Sequence, residues 1–446
     1  MVIPRRIIAV LSLVCCFGHG FNQGFADEKN RREQAVREDK KNLASDARWL
    51  YNDVQTGFEA AKKLGKPLLV VLRCVPCKAC TGIDQSVLKS KDLQALLDDF
   101  VCVRLINAND IDLSQFQFDY DLSFSSLIFH PEGSLIARYG SWQHQLDEAE
   151  TSTKSLQAAL QKARTIHKDW DQNKDRVGPK QGGSTPFKTP IEIPGLAGKY
   201  QRELNWEGNV VQSCVHCHQI GDAYRAWYRK QGQVIPKDLI YPMPDPITIG
   251  LKMNQDVGTK VREVQPGSFA QQAGFKPGDD ITAIEGAPMV SIADIAWALH
   301  RSSDPGKSVW TVQRDSKLMD LQVTLGPGWR SHSNIASRVG TWQMRAMVQG
   351  GMVLRTLDAS KRQDLGLAQE DLGLVVHGLG EYGEHAAAKN AGFRKGDIVL
   401  TIQGVQGPVD ESQLIGTLLE LYPKSTQIRA KVLREKQRIE LSWPIQ

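Results

Sequence analysis

"LLVVLRCVPCKACTGID", residues 68–84, sets Cys74, Cys77 and Cys80 directly behind the apolar run Leu68–Leu72. A short continuous apolar run reads as a buried strand, and Ile83, Val87 and Leu88 then recur at helical spacing. The cysteines therefore stand where a strand turns into a helix. Free N–H groups and the dipole at a helix start stabilise a thiolate, and a second thiol two residues on can resolve a mixed disulfide. Arg73 and Lys78 add positive charge. Cys74 and Cys77, with proline before the second thiol, are the expected reactive pair, and Cys80 an auxiliary thiol. Counting from the strand places Cys77 and Cys80 there instead. A permanent disulfide or a metal on three thiolates are the structural readings of the same residues.

Outward from this turn, Phe58, Ala61 and Leu64 mark one face of a helix that Gly65 ends. Strands follow at 100–106 and 125–129, a turn at 131–133, a strand at 135–140 and a helix over about 152–168. Residues 46–169 thus resemble a thioredoxin-like α/β domain. One departure is plain: Phe124-Ser125-Ser126-Leu127 has no proline where thioredoxins place a cis-proline facing the cysteines. Cys102, inside a central strand, is expected to be a buried free thiol.

A second cluster lies in "GNVVQSCVHCHQIGDAYRAWY", residues 208–228. Cys214-x-x-Cys217-His218 has the spacing of covalent c-type haem, two thioethers and a proximal histidine. The stretch resembles the opening of monohaem cytochromes c, which implies haem c with Cys214, Cys217 and His218 as its attachment residues. Met243 in "YPMPDP" is the expected sixth iron ligand, and Met253 the second choice. Zinc on Cys214, Cys217, His218 and His216 is the rival reading, and a plain disulfide the third. His216, between the cysteines, is expected to face outward.

The compartment follows from the first residues. Arg5 and Arg6 precede the apolar run Ile7–Phe17, and Gly24-Phe25-Ala26 offers small residues for cleavage. Residues 1–26 read as a secretory signal leading to the periplasm or cell envelope, with an uncleaved anchor as the alternative. No later segment approaches the ~20 apolar residues of a membrane helix. A net charge of +5 over 446 residues, with 24% charged, shows no basic stripe, so nucleic acid is not an expected partner. Residues 27–45 form a charged, solvated arm. Residues 170–198 read as a linker, and 199–246 as a separate short unit around the second cluster.

The C-terminal half repeats itself. "AGFKPGDDITAIEG" (273–286) and "AGFRKGDIVLTIQG" (391–404) share Ala-Gly-Phe-x-x-Gly-Asp and Ile-x-Gly at identical spacing. Both copies resemble PDZ domains of bacterial exported proteases and their relatives. The expected domains are 247–327 and 350–446, joined by a linker at 328–349. PDZ domains bind extended peptide ends by strand addition. Ile249, Gly250 and Leu251 of "ITIGL" (247–251) are the candidate loop in the first copy, and "DLGL" (364–367) in the second.

The fold class is therefore multidomain: a thioredoxin-like α/β domain, a short CxxCH segment and two mostly-β PDZ-like domains. The whole resembles a bacterial exported thioredoxin/PDZ family, some of whose members carry selenocysteine in the first motif. That resemblance implies redox chemistry at Cys74, Cys77 and Cys80. The leading expectation is a periplasmic thiol–disulfide and electron-transfer protein that recruits a protein partner through its PDZ modules. The other is a non-catalytic PDZ adaptor whose cysteine clusters are structural. No Gly-x-Ser-x-Gly is present to support a serine hydrolase.

Overall fold

The computed structural model describes residues 19–75, 91–140, 153–422 and 426–446. Cys77, Cys80 and the helical residues expected after them lie outside the described residues, as do residues 1–18 of the expected signal. Strand β1 (Trp49–Tyr51), β2 (Leu68–Arg73), β3 (Val101–Leu105), β4 (Phe124–Phe129) and β5 (Leu135–Tyr139) form one sheet in the order β1-β3-β2-β4-β5. β2 is central, parallel to β3 (Val70 opposite Val103) and antiparallel to β4 (Val70 opposite Leu127). Every residue of β2 is buried, as a strand covered on both faces requires.

Helix α1 (His19–Ala44) comes before the sheet. Helix α2 (Val54–Leu64) begins where Asp53 accepts from the Thr56 amide at 2.9 Å and ends at Gly65, whose φ of 62° suits glycine. It packs closely on the sheet, since a Cβ on Gly57 would lie 2.6 Å from Val103 Cγ2. Helix α3 (Lys91–Leu97) and helix α4 (Thr153–Lys168) cover the other face. There Leu156, Leu160 and Ala163 meet Leu69, Val71 and Cys102.

The charged arm is helical but not simply solvated. Val36 of α1 is buried with Ile106 and Val210, and Asp39 holds the buried Arg104 of β3 at 2.6 Å. The Glu33 carboxylate accepts from the amides of Val210 and Val211 at 3.0 and 2.9 Å. The arm therefore ties β3 to the segment that leads into the second cluster.

The expected linker at 170–198 is likewise fixed in place. Lys180 is fully buried and donates to Asp294 Oδ2 and to the Ile136 carbonyl of β5, both at 2.7 Å. Val177, Ile193 and Leu196 are buried as well. Sequence lacking periodicity still packs when each polar group finds a partner. The unit at 199–246 is not separate either. Its helix α5 (Cys217–Lys230) buries Ile220, Ala223 and Tyr224 among residues of the first domain, including Leu113, Phe116 and Phe129. A single apolar helix face has no partner of its own and takes one from the neighbouring sheet.

The first repeat copy contains β6 (Leu251–Met253) paired with β7 (Val261–Val264), and β8 (Asp280–Ile284), β9 (Ala287–Pro288), β10 (Gly306–Arg314) and β11 (Lys317–Leu325) in the order β11-β10-β8-β9. Helix α6 (Ile292–Arg301) follows β9 in sequence and packs Ile292, Ile295 and Leu299 into that core. The second copy is one five-stranded sheet of β12 (Met352–Thr356), β13 (Leu374–Leu379), β14 (Ile398–Ile402), β15 (Gln427–Arg434) and β16 (Gln437–Pro444), in sequence order.

The expected linker at 328–349 contains helix α7 (Thr341–Gln349), whose Met344, Met347 and Val348 belong to the second copy's core. Helix α8 (Glu411–Leu421) closes that core from the other side of the sequence. No helix among the described residues is long and apolar enough to cross a membrane.

Candidate redox site

Cys74 follows the last residue of β2, half-buried, and its amide donates to the Ser123 carbonyl at 2.9 Å. Ser123 directly precedes β4, so this bond ties the end of β2 to the start of its antiparallel neighbour. Arg73 beside Cys74 is buried.

The second cluster arrives at the same place. His216 precedes α5, and its Nδ1 lies 3.4 Å from Cys74 Sγ, joining residues 142 apart in sequence. It faces inward, against expectation. The cause is a clamp: fully buried Asn109 accepts from the Val215 amide at 2.7 Å and donates to the carbonyls of Ser213 (2.8 Å) and Gln201 (2.7 Å). The Gln219 side chain also accepts from the His216 amide at 2.9 Å. Sequence reading missed Asn109. The only hint is an asparagine three residues past an apolar strand, which is weak.

Cys74, Cys214, His216 and Cys217 line one cavity, with Val36 of α1 and Ile106 on its walls. Burial pushes the Cys214 thiol up to about 12 and raises that of Cys217 further, and a charge on Cys74 opposes ionisation of both. His216 is pushed down to about 4, first by burial, then by His218 and Arg32. It is neutral near pH 7 and able to share a proton with the sulfur beside it. Its ring is nearly parallel to that of His218, centroids 5.9 Å apart. Cys102, by contrast, is sealed in β3, and burial pushes it up to about 12.

The residues expected to hold haem do not fit one as arranged. The cavity at the two thiols has a volume of about 30 Å³, room for a water. A cofactor site ordinarily needs several hundred Å³. Cys214 Sγ is directed at the Ile106 carbonyl, 3.2 Å away. Met243 packs against Ala296 and Trp297 and lines other cavities than the one at the cysteines. Met253 is buried in the first repeat core. Among the described residues, no group of three or more His, Cys, Asp or Glu side chains is arranged to hold a metal ion.

The peptide-loop candidates fare differently. Gly250 adopts φ 91° and precedes β6, the geometry of a turn feeding an edge strand. Ile249 and Leu251 are fully buried, and Trp329 packs into the same cluster. Thr248 and Ser333 hydroxyls stand 3.4 Å apart, so the stretch after β11 lies on this loop. "DLGL" at 364–367 does not occupy the equivalent place. It falls between β12 and β13, whereas the loop entering β12 is Gly350-Gly351.

Comparison with known proteins agrees with two of these domains. Residues 49–131 match the model of a thioredoxin-like family, and residues 246–325 that of the PDZ domain. The chain contains a thioredoxin-like domain and a PDZ domain. A Brucella suis protein named as a zinc metalloprotease is 45% identical over 61 residues, 14% of this chain and 16% of that protein. A probable periplasmic serine endoprotease, DegP-like, of Pseudomonas savastanoi is 24% identical over 215 residues, 48% of this chain and 41% of the relative. The chain thus spans less than half the length of these curated relatives. Among solved structures, a disulphide isomerase from Xylella fastidiosa shares 20% identity at a TM-score of 0.20, covering 27% of this chain and 88% of that one.

Proposed function

We propose that this protein is an exported thiol–disulfide oxidoreductase of the periplasm or cell envelope, with its nucleophile in the Cys74-x-x-Cys77-x-x-Cys80 turn. The observation that supports this most is the position of Cys74. It leaves the central strand of a thioredoxin-like sheet with the neutral imidazole of His216 3.4 Å from its sulfur. In the exchange, a Cys74 thiolate attacks a partner's disulfide. One Cys74–sulfur bond forms as the partner's S–S bond breaks, and a partner thiolate leaves. A second thiol of the protein then releases the partner in reduced form.

The PDZ domain at 246–325 would hold an extended peptide of that partner against β6. The second copy has the same build. Arg434 clasps Asp397 and the Gly392 carbonyl at 2.7 and 2.8 Å, as Arg314 clasps Asp279 and the Gly274 carbonyl. It therefore reads as a second PDZ module. Neither repeat brings protease chemistry with it, since the sequence has no Gly-x-Ser-x-Gly and no His-Glu-x-x-His.

The adaptor reading, with structural cysteines, has one observation in its favour, the burial that keeps Cys214 protonated. Thiol labelling of the native protein across defined redox buffers separates the two. Reversible, potential-dependent labelling of Cys74 supports the oxidoreductase; labelling that never changes until denaturation leaves only the adaptor.

A further inference from the structure

The thiol that completes the exchange need not come from the first cluster. Cys74, Cys214 and Cys217 line one cavity of about 30 Å³, and His216 lines it as well, with its Nδ1 3.4 Å from Cys74 Sγ. Cys214 and Cys217 are both thiols in this structure, separated by two residues, and Cys217 opens a 14-residue helix. That spacing allows them to close a disulfide with each other, and the first helical turn stabilises a thiolate at Cys217 once its burial is relieved. The site is built, because Asn109, Gln219 and Glu33 hold its backbone from three sides.

We propose that Cys214 and Cys217 are a second redox dithiol that exchanges disulfides with Cys74 inside the same molecule, so that the two cysteine clusters form a relay. This rests on the oxidoreductase reading of Cys74.

The Cys74 thiolate attacks the disulfide of a partner protein and releases the first partner thiolate. Cys217, as thiolate, attacks Cys74 Sγ; the Cys74–Cys217 bond forms and the second partner thiolate leaves. Cys214, as thiolate, attacks Cys217 Sγ, closing Cys214–Cys217 and freeing Cys74. Two electrons have passed from the dithiol to the partner disulfide, and the two protons lost by Cys214 and Cys217 end on the partner's thiols. A dithiol protein of the same compartment resets the pair by the reverse exchange.

His216, 3.4 Å from Cys74 Sγ, lines the same cavity as the three cysteines, so the first and second clusters share one site.

The test uses the full-length protein, prepared beside a working cytochrome c assembly system, reduced and then exposed to oxidised glutathione as the probe disulfide. Acid quenching, alkylation and peptide mass spectrometry identify the bonds. The wild type is expected to accumulate Cys214–Cys217, and Cys214→Ala to trap Cys74–Cys217 as its main species. Cys74→Ser should oxidise the second pair at least about tenfold more slowly. Should the Cys214→Ala protein fail to fold, rapid-quench sampling of the wild type reads the transient Cys74–Cys217 or Cys74–Cys214 link without any substitution. If Cys74 is oxidised while Cys214 and Cys217 remain alkylatable throughout, the relay is wrong and the oxidoreductase stands. If Cys74 itself never exchanges, both fall. Haem found covalently on Cys214 and Cys217 also overturns the relay.

Discussion

Cys74 Sγ lies 3.4 Å from His216 Nδ1, and this one contact joins the central strand of the thioredoxin-like sheet to the second cysteine cluster. A neutral imidazole that donates its N–H to a sulfur stabilises the thiolate more than the thiol. Replacing it with a ring of similar size removes that preference. His216→Phe should slow alkylation of Cys74 near pH 7 on the order of tenfold, the factor that ~1.4 kcal/mol of lost stabilisation gives. Peptide-resolved rates with iodoacetamide measure it, and Cys102, sealed in β3, serves as the unreactive internal control. An unchanged Cys74 rate would mean that the imidazole is only packing.

Asp294 at the start of α6 joins three parts of the molecule. It accepts from Lys180 Nζ at 2.7 Å, from the Arg138 amide at 3.0 Å and from the Val290 amide at 3.1 Å. Removing one partner of a buried ion pair leaves the other charge uncompensated, at a cost of about 3–5 kcal/mol. Asp294→Ala should lose about that much stability in urea unfolding. The double change Lys180→Met with Asp294→Leu should recover part of it, because it removes both charges. A single substitution costing under about 1 kcal/mol would show the pair to be solvated in solution.

These two contacts also mark where sequence reading stopped. β2 was legible because a strand buried on both faces must be apolar throughout, as Leu68–Leu72 is. α4 was legible from its spacing, and its bounds Thr153–Lys168 fall within a residue of the expected ones. The stretch 170–198 was not, since its order comes from Lys180 meeting an aspartate 114 positions away, and no local pattern records such a partner. The same holds at the site. The motifs named Cys74, Cys214 and Cys217, but only the fold places Asn109 behind them and turns His216 toward Cys74. The surroundings of Met243 were not legible for a related reason: it packs against Ala296 and Trp297, on a helix far away in sequence.

The two repeats make a paired prediction. Asp279 and Asp397 are almost fully buried and each accepts two hydrogen bonds from one arginine, Arg314 or Arg434. Each also receives an amide of its own turn at 2.9 Å, from Lys276 or Arg394. Each arginine is partly exposed, so what its removal loses is chiefly hydrogen bonds to a charged group, about 1.5–3 kcal/mol. Arg314→Ala and Arg434→Ala should therefore destabilise the chain by similar amounts within that range. Hydrogen exchange should show each loss confined to its own copy. Markedly unequal costs would indicate that the copies share a motif without sharing its structural role.

His300 provides the pH test. It follows Leu299 on α6, and its Nδ1 accepts the Met243 amide at 3.4 Å. Burial, then the charges of Arg330, Arg138, Arg301 and Arg338, push it down to about 3, against about 6.5 in an unfolded chain. Between those values the unfolded state holds a proton that the folded state refuses. Stability attributable to His300 is therefore present above about pH 6.5 and is lost as pH falls toward 3. Each unit in that window corresponds to at most about 1.4 kcal/mol. Other groups titrate over the same range, so the informative quantity is the difference from His300→Gln, which cannot take up the proton. Urea unfolding at pH 7 and pH 5 should show the wild type losing up to about 2 kcal/mol more than the variant. Equal losses in the two proteins would mean that His300 reaches water, and that the contact between Met243 and α6 opens on acidification before the domain unfolds.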